Sequence, residues 1–271
     1  METGKANKII ARTFKIDYST RCHLAVQIGL NHLSYCVTNN NTNNVEYLNS
    51  FSVNNNLTHI ISKEEILNKD FASKSVAYTN FASTLVPHNL FEEQYQKEIL
   101  DFNTRPHDII RSDRLSRTDA QLIYSIPKDM ADIVSAFFPN TQQKARESIF
   151  IDQVSQFDNK HDNAYLYISE NNITITIFKN TKLRFSNRFY FETKEDILYF
   201  TLFTFEQLKI NTETVQTKLY GNIIKGDENH QLLYEYIRNI EFGSRPNHLN
   251  FSSEFDPIQA HQFYSLFSQS I

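Results

Sequence analysis

Cysteine, glycine and long apolar runs are all scarce in this sequence, and each scarcity removes a class of protein. Only two cysteines occur, Cys22 and Cys36. Two thiols do not make the disulfide framework of a small secreted domain, and without a CxxC pair they begin no zinc or redox motif, so they are read as reduced, semi-buried side chains. Glycine is confined to Gly4, Gly29, Gly221, Gly226 and Gly243. There is no Gly-rich GKS or GKT loop, no GxSxG elbow and no HExxH pair, which leaves P-loop, hydrolase and zinc-site readings without support. The longest apolar run, Ile197 to Phe205, contains Thr201 and Thr204 and falls well short of the roughly 18 apolar residues that a membrane span requires. No charged region followed by a long apolar stretch opens the chain, so no signal peptide is predicted. The expected protein is soluble and cytoplasmic, without membrane insertion.

An excess of basic residues is also missing. The chain carries 27 Lys and Arg against 31 Asp and Glu, a net charge of -4, and a sequence pI near 6.1. This is unlike the strongly basic domains that bind phosphate backbones, and it argues against a nucleic-acid-associated role. The densest basic stretch, RPHDIIRSDRLSRTD, holds Arg105, Arg111, Arg114 and Arg117, but Asp108, Asp113 and Asp119 are interleaved with them. It reads as an exposed, self-neutralising hairpin. Two HD dipeptides, His107-Asp108 and His161-Asp162, lack the further His and Asp residues on helices that a metal phosphohydrolase would need, and read as loop chemistry. Glu64-Glu65 and Glu92-Glu93 read as solvated carboxylates in first helical turns.

What the chain does have is a repeated pattern. From Leu24 to Val53 it reads LAVQIGLNHLSYCVTNNNTNNVEYLNSFSV. Here Ala25, Gln27 and Gly29 alternate with Val26, Ile28 and Leu30 before Asn31 and His32 reverse the chain, which predicts a hairpin. Asn39 to Asn44 is too polar to pack and predicts an exposed turn, followed by a third strand over Val45 to Val53. The second copy, AYLYISENNITITIFKNTKLRFSNRFYFE, begins at Ala164 and turns at Asn171 and Asn172. Lys179, Asn180 and Thr181 close its next hairpin, and Leu183 to Phe191 is its third strand. A helix over Thr193 to Leu208 follows, with Thr193 as N-cap and Glu195 and Asp196 at the positive helix end. On that helix Tyr199 and Phe203 share a face and are expected in the core.

Between the copies, the pattern predicts a strand over Lys74 to Asn80 and a helix over Phe91 to Phe102. A hairpin follows over Asp108 to Leu115 and Gln121 to Ile126, then a helix over Lys128 to Phe138. The analogous second-half elements are a strand over Gln216 to Tyr220 and a helix over Glu228 to Asn239. Sheets flanked by helices in this repeated order give an α/β class with two related lobes. Length supports it, since 271 residues suffice to bury roughly three quarters of the unfolded surface. The 22 Phe and 14 Tyr supply a large aromatic core. At the C-terminus Phe263, Tyr264 and Phe267 fall at helical spacing, suited either to docking on the body or to meeting a partner.

Two lobes that each open with a three-stranded antiparallel meander and a helix resemble the actin, hexokinase and heat-shock ATPase superfamily. The segments VAYTNFASTLVPHNLFEEQYQKEIL (Val76 to Leu100) and LIYSIPKDMADIVSAFFPN (Leu122 to Asn140), with the second meander, also resemble a bacterial family, domain of unknown function 3822. The resemblance implies an actin-like, ribonuclease H-like duplicated fold. It would comprise an N-terminal tail and first strand over 1-22, a first lobe over 23-160 and a second over 161-271, each with a mixed sheet flanked by helices.

In active members of that superfamily each meander carries an Asp-x-Gly turn, whose carboxylate holds a metal-bound water and whose Gly lets backbone amides approach phosphate. In this chain Gln27 stands at the first aspartate position and Gly29 at the first glycine position, so the support for a hard Mg²⁺ ion is absent. At the second turn Tyr167 and Ser169 align with the aspartate and glycine. The Gly pair that would back an adenosine is half kept, as Gly221 followed by Asn222. Without both carboxylates the expected phosphoryl-transfer mechanism is lost.

The expectation is therefore a non-hydrolysing binding or scaffolding protein, not an enzyme, with no catalytic residue, no metal and no cofactor; a nucleotide is not expected. Any cleft ligand should meet Gln27, Gly29, Asn31, Ser169, Gly221 and Asn222 between the lobes. A protein partner is expected but its identity is open, as is the oligomeric state. The alternatives are an ATPase or phosphotransferase with relocated carboxylates such as Asp17 or Glu170, a nucleic-acid-associated protein, and self-assembly, which several superfamily members perform.

Overall fold

The computed structural model describes residues 7-12, 14-53 and 56-270; the first six residues of the N-terminal tail lie outside them. In chain order, β1 (Asn7–Ile10) precedes the first meander, formed by β2 (Cys22–Ile28), β3 (His32–Asn39) and β4 (Asn44–Ser52). The short helix α1 (Leu57–Lys63), β5 (Ser73–Tyr78), β6 (Ser83–Pro87), α2 (Gln96–Asn103), β7 (Ile109–Arg114) and β8 (Ala120–Ile126) follow. Next come α3 (Lys128–Phe137), β9 (Gln142–Ala145) and α4 (Arg146–Val154). The second meander is β10 (Asn163–Ile168), β11 (Asn172–Lys179) and β12 (Lys182–Tyr190). The chain ends with α5 (Lys194–Gln207), β13 (Gln216–Gly221), α6 (Glu228–Tyr236), β14 (Asn239–Phe242), β15 (Asn250–Phe251) and α7 (Tyr264–Phe267).

These strands form a first sheet of seven, ordered β1-β4-β3-β2-β5-β9 with β15 beside β4, a second of five, ordered β12-β11-β10-β13-β14, and a small one of three, ordered β6-β8-β7. The two meanders are built alike in detail. β2 pairs antiparallel with β3 and parallel with β5; β10 pairs antiparallel with β11 and parallel with β13. Each turn closes the same way, Gly29 N–H donating to His32 C=O at 2.9 Å and Ser169 N–H to Asn172 C=O at 2.8 Å. Even the bulge recurs, after Val37 in one copy and after Ile177 in the other. The tips take left-handed backbone at Asn43, Asn180 and Thr181, in the polar stretches where turns are predicted.

Period-two patterning explains how the sheets stack. From β2, Leu24, Val26 and Ile28 enter a core shared with α1, α3 and the small sheet. From β10, Ala164, Leu166 and Ile168 enter a core beneath α5 and α6. The opposite faces of these two strands meet at a seam filled by α4 and α7. There Phe150 contacts Tyr167 at 5.1 Å, Tyr220 at 5.3 Å and Tyr264 at 6.3 Å between ring centroids, all edge-to-face. That geometry is the favourable one for aromatic quadrupoles. The C-terminal segment returns to the first sheet, where Leu266 and Phe267 join Ala25, Cys36 and Leu48. Both Tyr264 and Phe267 are thereby docked on the body.

Several predicted elements shift. The helix expected from Phe91 starts at Gln96 after a 3-10 turn at Glu93–Tyr95, because Phe91 and Glu92 are extended. The helix expected to reach Asn239 stops at Tyr236, and Asn239 instead pairs with Gln216 to seat β14 on β13. Thr193 caps α5 as expected, in a full capping box with Asp196. On that helix, however, Ile197, Thr201, Thr204 and Phe205 face inward. Tyr199 and Phe203 stack on each other outside, 59% and 44% exposed, which corrects their placement in the core. The elements not foreseen include β6, β9, α4, β14 and β15. Eight of the nine residues of α4 are buried, polar and apolar alike, so it carries no amphipathic stripe to read.

Two expectations follow. Truncating the hub of the seam, Phe150→Ala, should cost about 3–5 kcal/mol, read from urea unfolding. His23, buried on β2 between Ser73 Oγ (2.7 Å) and Ser75 Oγ (2.9 Å), is pushed down to about 4 from its ordinary 6.5 by burial. The unfolded chain then takes the proton more readily, so this contribution is whole above about pH 6.5 and is lost as pH falls toward 4. Stability should drop by about 2–3 kcal/mol between about pH 7.5 and about pH 4.5 on this account, and His23→Gln should flatten that part of the profile.

Candidate functional site

The ends of β2 and β10 face each other across the seam, and a polar cavity of about 270 Å³ lies between them. Gln27 and Tyr167 hold equivalent places, each one residue before the end of its strand and each opposite a hydroxyl residue on the next, Ser34 and Thr174. They are joined by one residue of α7. Gln27 Nε2 donates to Ser265 Oγ at 3.3 Å, and Ser265 Oγ donates to the Tyr167 hydroxyl at 3.1 Å. The two equivalent positions thus carry a carboxamide and a phenol, bridged by a serine.

Behind them lies a buried charge cluster. Arg146 opens α4 and is only 4% exposed. Its guanidinium meets Glu147 at 2.7 Å, donates to Ser169 Oγ at 2.9 Å and Thr174 Oγ1 at 3.2 Å, and lies 4.4 Å over the Tyr167 ring. Arg188 of β12 approaches the same Glu147 carboxylate at 3.6 Å and donates to the Phe81 carbonyl. Burial alone would raise the Glu147 carboxyl, but Arg146 and Arg188 outweigh it and hold it below the ordinary carboxylate range. Burial likewise opposes the charge on Arg146, and Glu147 with Tyr167 raises it above its ordinary value. Two guanidiniums against one carboxylate leave this cluster with an excess of one positive charge; of its members Arg146 lines the cavity, as does the Glu170 carboxylate.

Of the residues singled out from sequence, Gln27, Ser169 and Asn222 line the cavity. Gly29, Asn31 and Gly221 are close in the fold but are not among its lining residues. The Gly29 amide is spent on the turn, and a Cβ there would meet Thr79 Oγ1 at 2.7 Å, so the residue is small to admit Thr79. Gly221 has φ +82°, and a Cβ would fall 2.1 Å from the Ile168 carbonyl oxygen; here only glycine fits the left-handed backbone. Asn31 is exposed, and its carbonyl accepts from Val53 N–H at 2.8 Å. Among the alternative carboxylates, Glu170 lines the cavity and is exposed at its mouth, whereas Asp17 sits on an outer 3-10 turn, Ile16–Arg21. The HD dipeptides fall in loops, and among the described residues no three His, Cys, Asp or Glu side chains gather as a metal site.

Sequence reasoning missed Arg146, Ser265, Thr79 and Asn80. No local pattern marks them. Asn80 accepts from Asn172 Nδ2 at 3.2 Å, a contact from the turn after β5 to the second meander, and Ser265 arrives from the far end of the chain.

Doubled meanders around such a seam define a protein of the actin-like ATPase fold. A Bacteroides thetaiotaomicron protein of that fold and of unknown function superposes with a TM-score of 0.80 at 18% identity, over 94% of this chain and 99% of that one. The PilM–PilN type IV pilus biogenesis complex includes a chain similar at a TM-score of 0.63 and 11% identity, over 92% and 97% of the two. The chain belongs to the family described as protein of unknown function DUF3822, whose model matches residues 11-240. No match is found among curated proteins. No helix among the described residues is long and apolar enough to cross a membrane.

Breaking the charge cluster tests its place in the fold. Glu147→Gln leaves two buried guanidiniums facing each other, and should lower stability by about 3–5 kcal/mol in urea unfolding.

Proposed function

We propose that this chain is a non-hydrolysing binding or scaffolding protein of the cytoplasm. The observation that carries the reading is the Gln27–Ser265–Tyr167 chain. Phosphoryl transfer in an actin-like cleft depends on acidic groups that support a metal ion and position water. Here those places are neutral, tied to each other, and backed by the Arg146 guanidinium, whose positive charge opposes a divalent cation beside it. Size argues in the same direction. A cavity of about 270 Å³ falls below the roughly 300–1,000 Å³ of pockets that enclose drug-sized ligands. It suits a small polar or anionic ligand, held by Gln27, Ser169 and Asn222 with Arg146 behind them, better than a metal triphosphate.

A protein partner fits this reading. The pilus complex named above pairs a chain of similar fold with another protein, and a scaffold that has lost turnover still offers surfaces between its sheets.

The rival reading is a phosphotransferase, and it rests on Glu170, the one carboxylate lining the cavity. Incubation with ATP or GTP and Mg²⁺ separates the two. The binding reading expects no phosphate release above the uncatalysed background. Magnesium-dependent release that disappears in Glu170→Ala would overturn it and establish the rival.

A further inference from the structure

A cavity of about 850 Å³ adjoins the one between the ends of β2 and β10 and shares Asn80 with it as a wall. Its walls are two strand edges from different sheets. β6 ends the small sheet and β12 ends the second sheet, and each is paired on one side only, to β8 and to β11. At one end Ser83, Thr84, Ser186 and Arg188 of the two edges also line a separate small cavity of about 10 Å³. Beyond that point the groove runs between Leu85–Pro87 and Leu183–Phe185. Among the described residues no backbone hydrogen bond joins the two edges.

An unpaired edge presents a row of N–H and C=O groups that template another strand, and proteins normally cover or blunt it. Two such edges facing one groove offer main-chain partners from both sides. β6 has five residues, so it matches an extended segment about 17 Å long. Leu85, Phe185 and Leu183 supply apolar wall, suited to alternate side chains of such a segment.

The charge on the rim selects the chemistry of the occupant. Arg105 and Arg184 line the groove, are exposed, and have no ion pair among the described residues. The acidic residue of the lining, Asp119, is already paired with Arg114 at 3.4 Å. The free charge is therefore cationic, and guanidiniums recognise carboxylates with directional, charge-assisted hydrogen bonds.

We propose that the groove between β6 and β12 receives an extended segment of a partner protein as an added strand, with apolar residues alternating with at least one Asp or Glu that meets Arg105 or Arg184. This deepens the binding reading and rests on it.

A displayed library of random twelve-residue peptides, selected on the intact protein, provides the probe. Selected peptides should carry an acidic residue among apolar ones, and the best should bind the Arg105→Glu, Arg184→Glu double variant at least tenfold more weakly. Both arginines are exposed, and an unchanged thermal melt confirms that the variant is folded. Hydrogen exchange with the best peptide bound should slow at the amides of 83-86 and 183-188. Protection elsewhere, affinity unchanged in the double variant, or no selected peptide would overturn the proposal. So would self-association in sedimentation that the same double variant abolishes, which would assign the groove to a second copy of the chain. Any of these outcomes without nucleotide turnover removes the groove assignment alone, whereas magnesium-dependent turnover removes the binding reading itself.

Discussion

The Glu147 carboxylate, buried between Arg146 and Arg188, is the contact on which the arrangement of the two sheets depends. Arg146 and Glu147 open α4, which follows directly from the first sheet, while Arg188, Ser169 and Thr174 belong to the second meander and its turn. Two guanidiniums out of water carry a desolvation penalty of several kcal/mol per ion, which only close, multiply hydrogen-bonded geometry offsets. The cluster therefore does not add stability cheaply; it admits few relative positions of the sheets, because almost any displacement strands a charge.

The same cluster shapes the chemistry of the cleft. Arg146 stands at the wall of the cavity, and Ser265 from α7 links Gln27 of the first meander to Tyr167 of the second. The terminal segment thus acts as a wedge. Its apolar side chains seal one face of the first sheet, and its hydroxyl completes a polar path from Gln27 to Tyr167. The cavity between the ends of β2 and β10 is braced in this way, and a larger groove opens beside it between β6 and β12.

Legibility from sequence followed the range of the interaction. The meanders were readable because alternation in β2 and β10 reports burial of opposite faces, and polar Asn-rich turns report chain reversal; both signals lie within a few residues. Gln27 and Tyr167 were placed at equivalent positions through the resemblance to the superfamily's Asp-x-Gly turns, and the strand registers put them there. Tyr199 and Phe203 were misplaced because their spacing shows that they share a face but not which face is inward. The strand β6 and the helix α4 were missed for opposite reasons, one being a short edge without strong patterning and the other buried on nearly every side.

The sequence by itself determined the duplicated α/β plan, the uncharged residues at both turns, Gln27 and Tyr167, and the cap that starts α5, because each is encoded in neighbouring residues with a fixed local geometry. Only the tertiary structure decided that Arg146 would back the cavity, that Ser265 would bridge the two turns, and that Gly29 would serve packing against Thr79 instead of leaving its amide open. These pairings join residues far apart in the chain. Their partners are chosen by how the sheets stack and by the cost of leaving a buried polar group unmatched, and no local pattern carries that information.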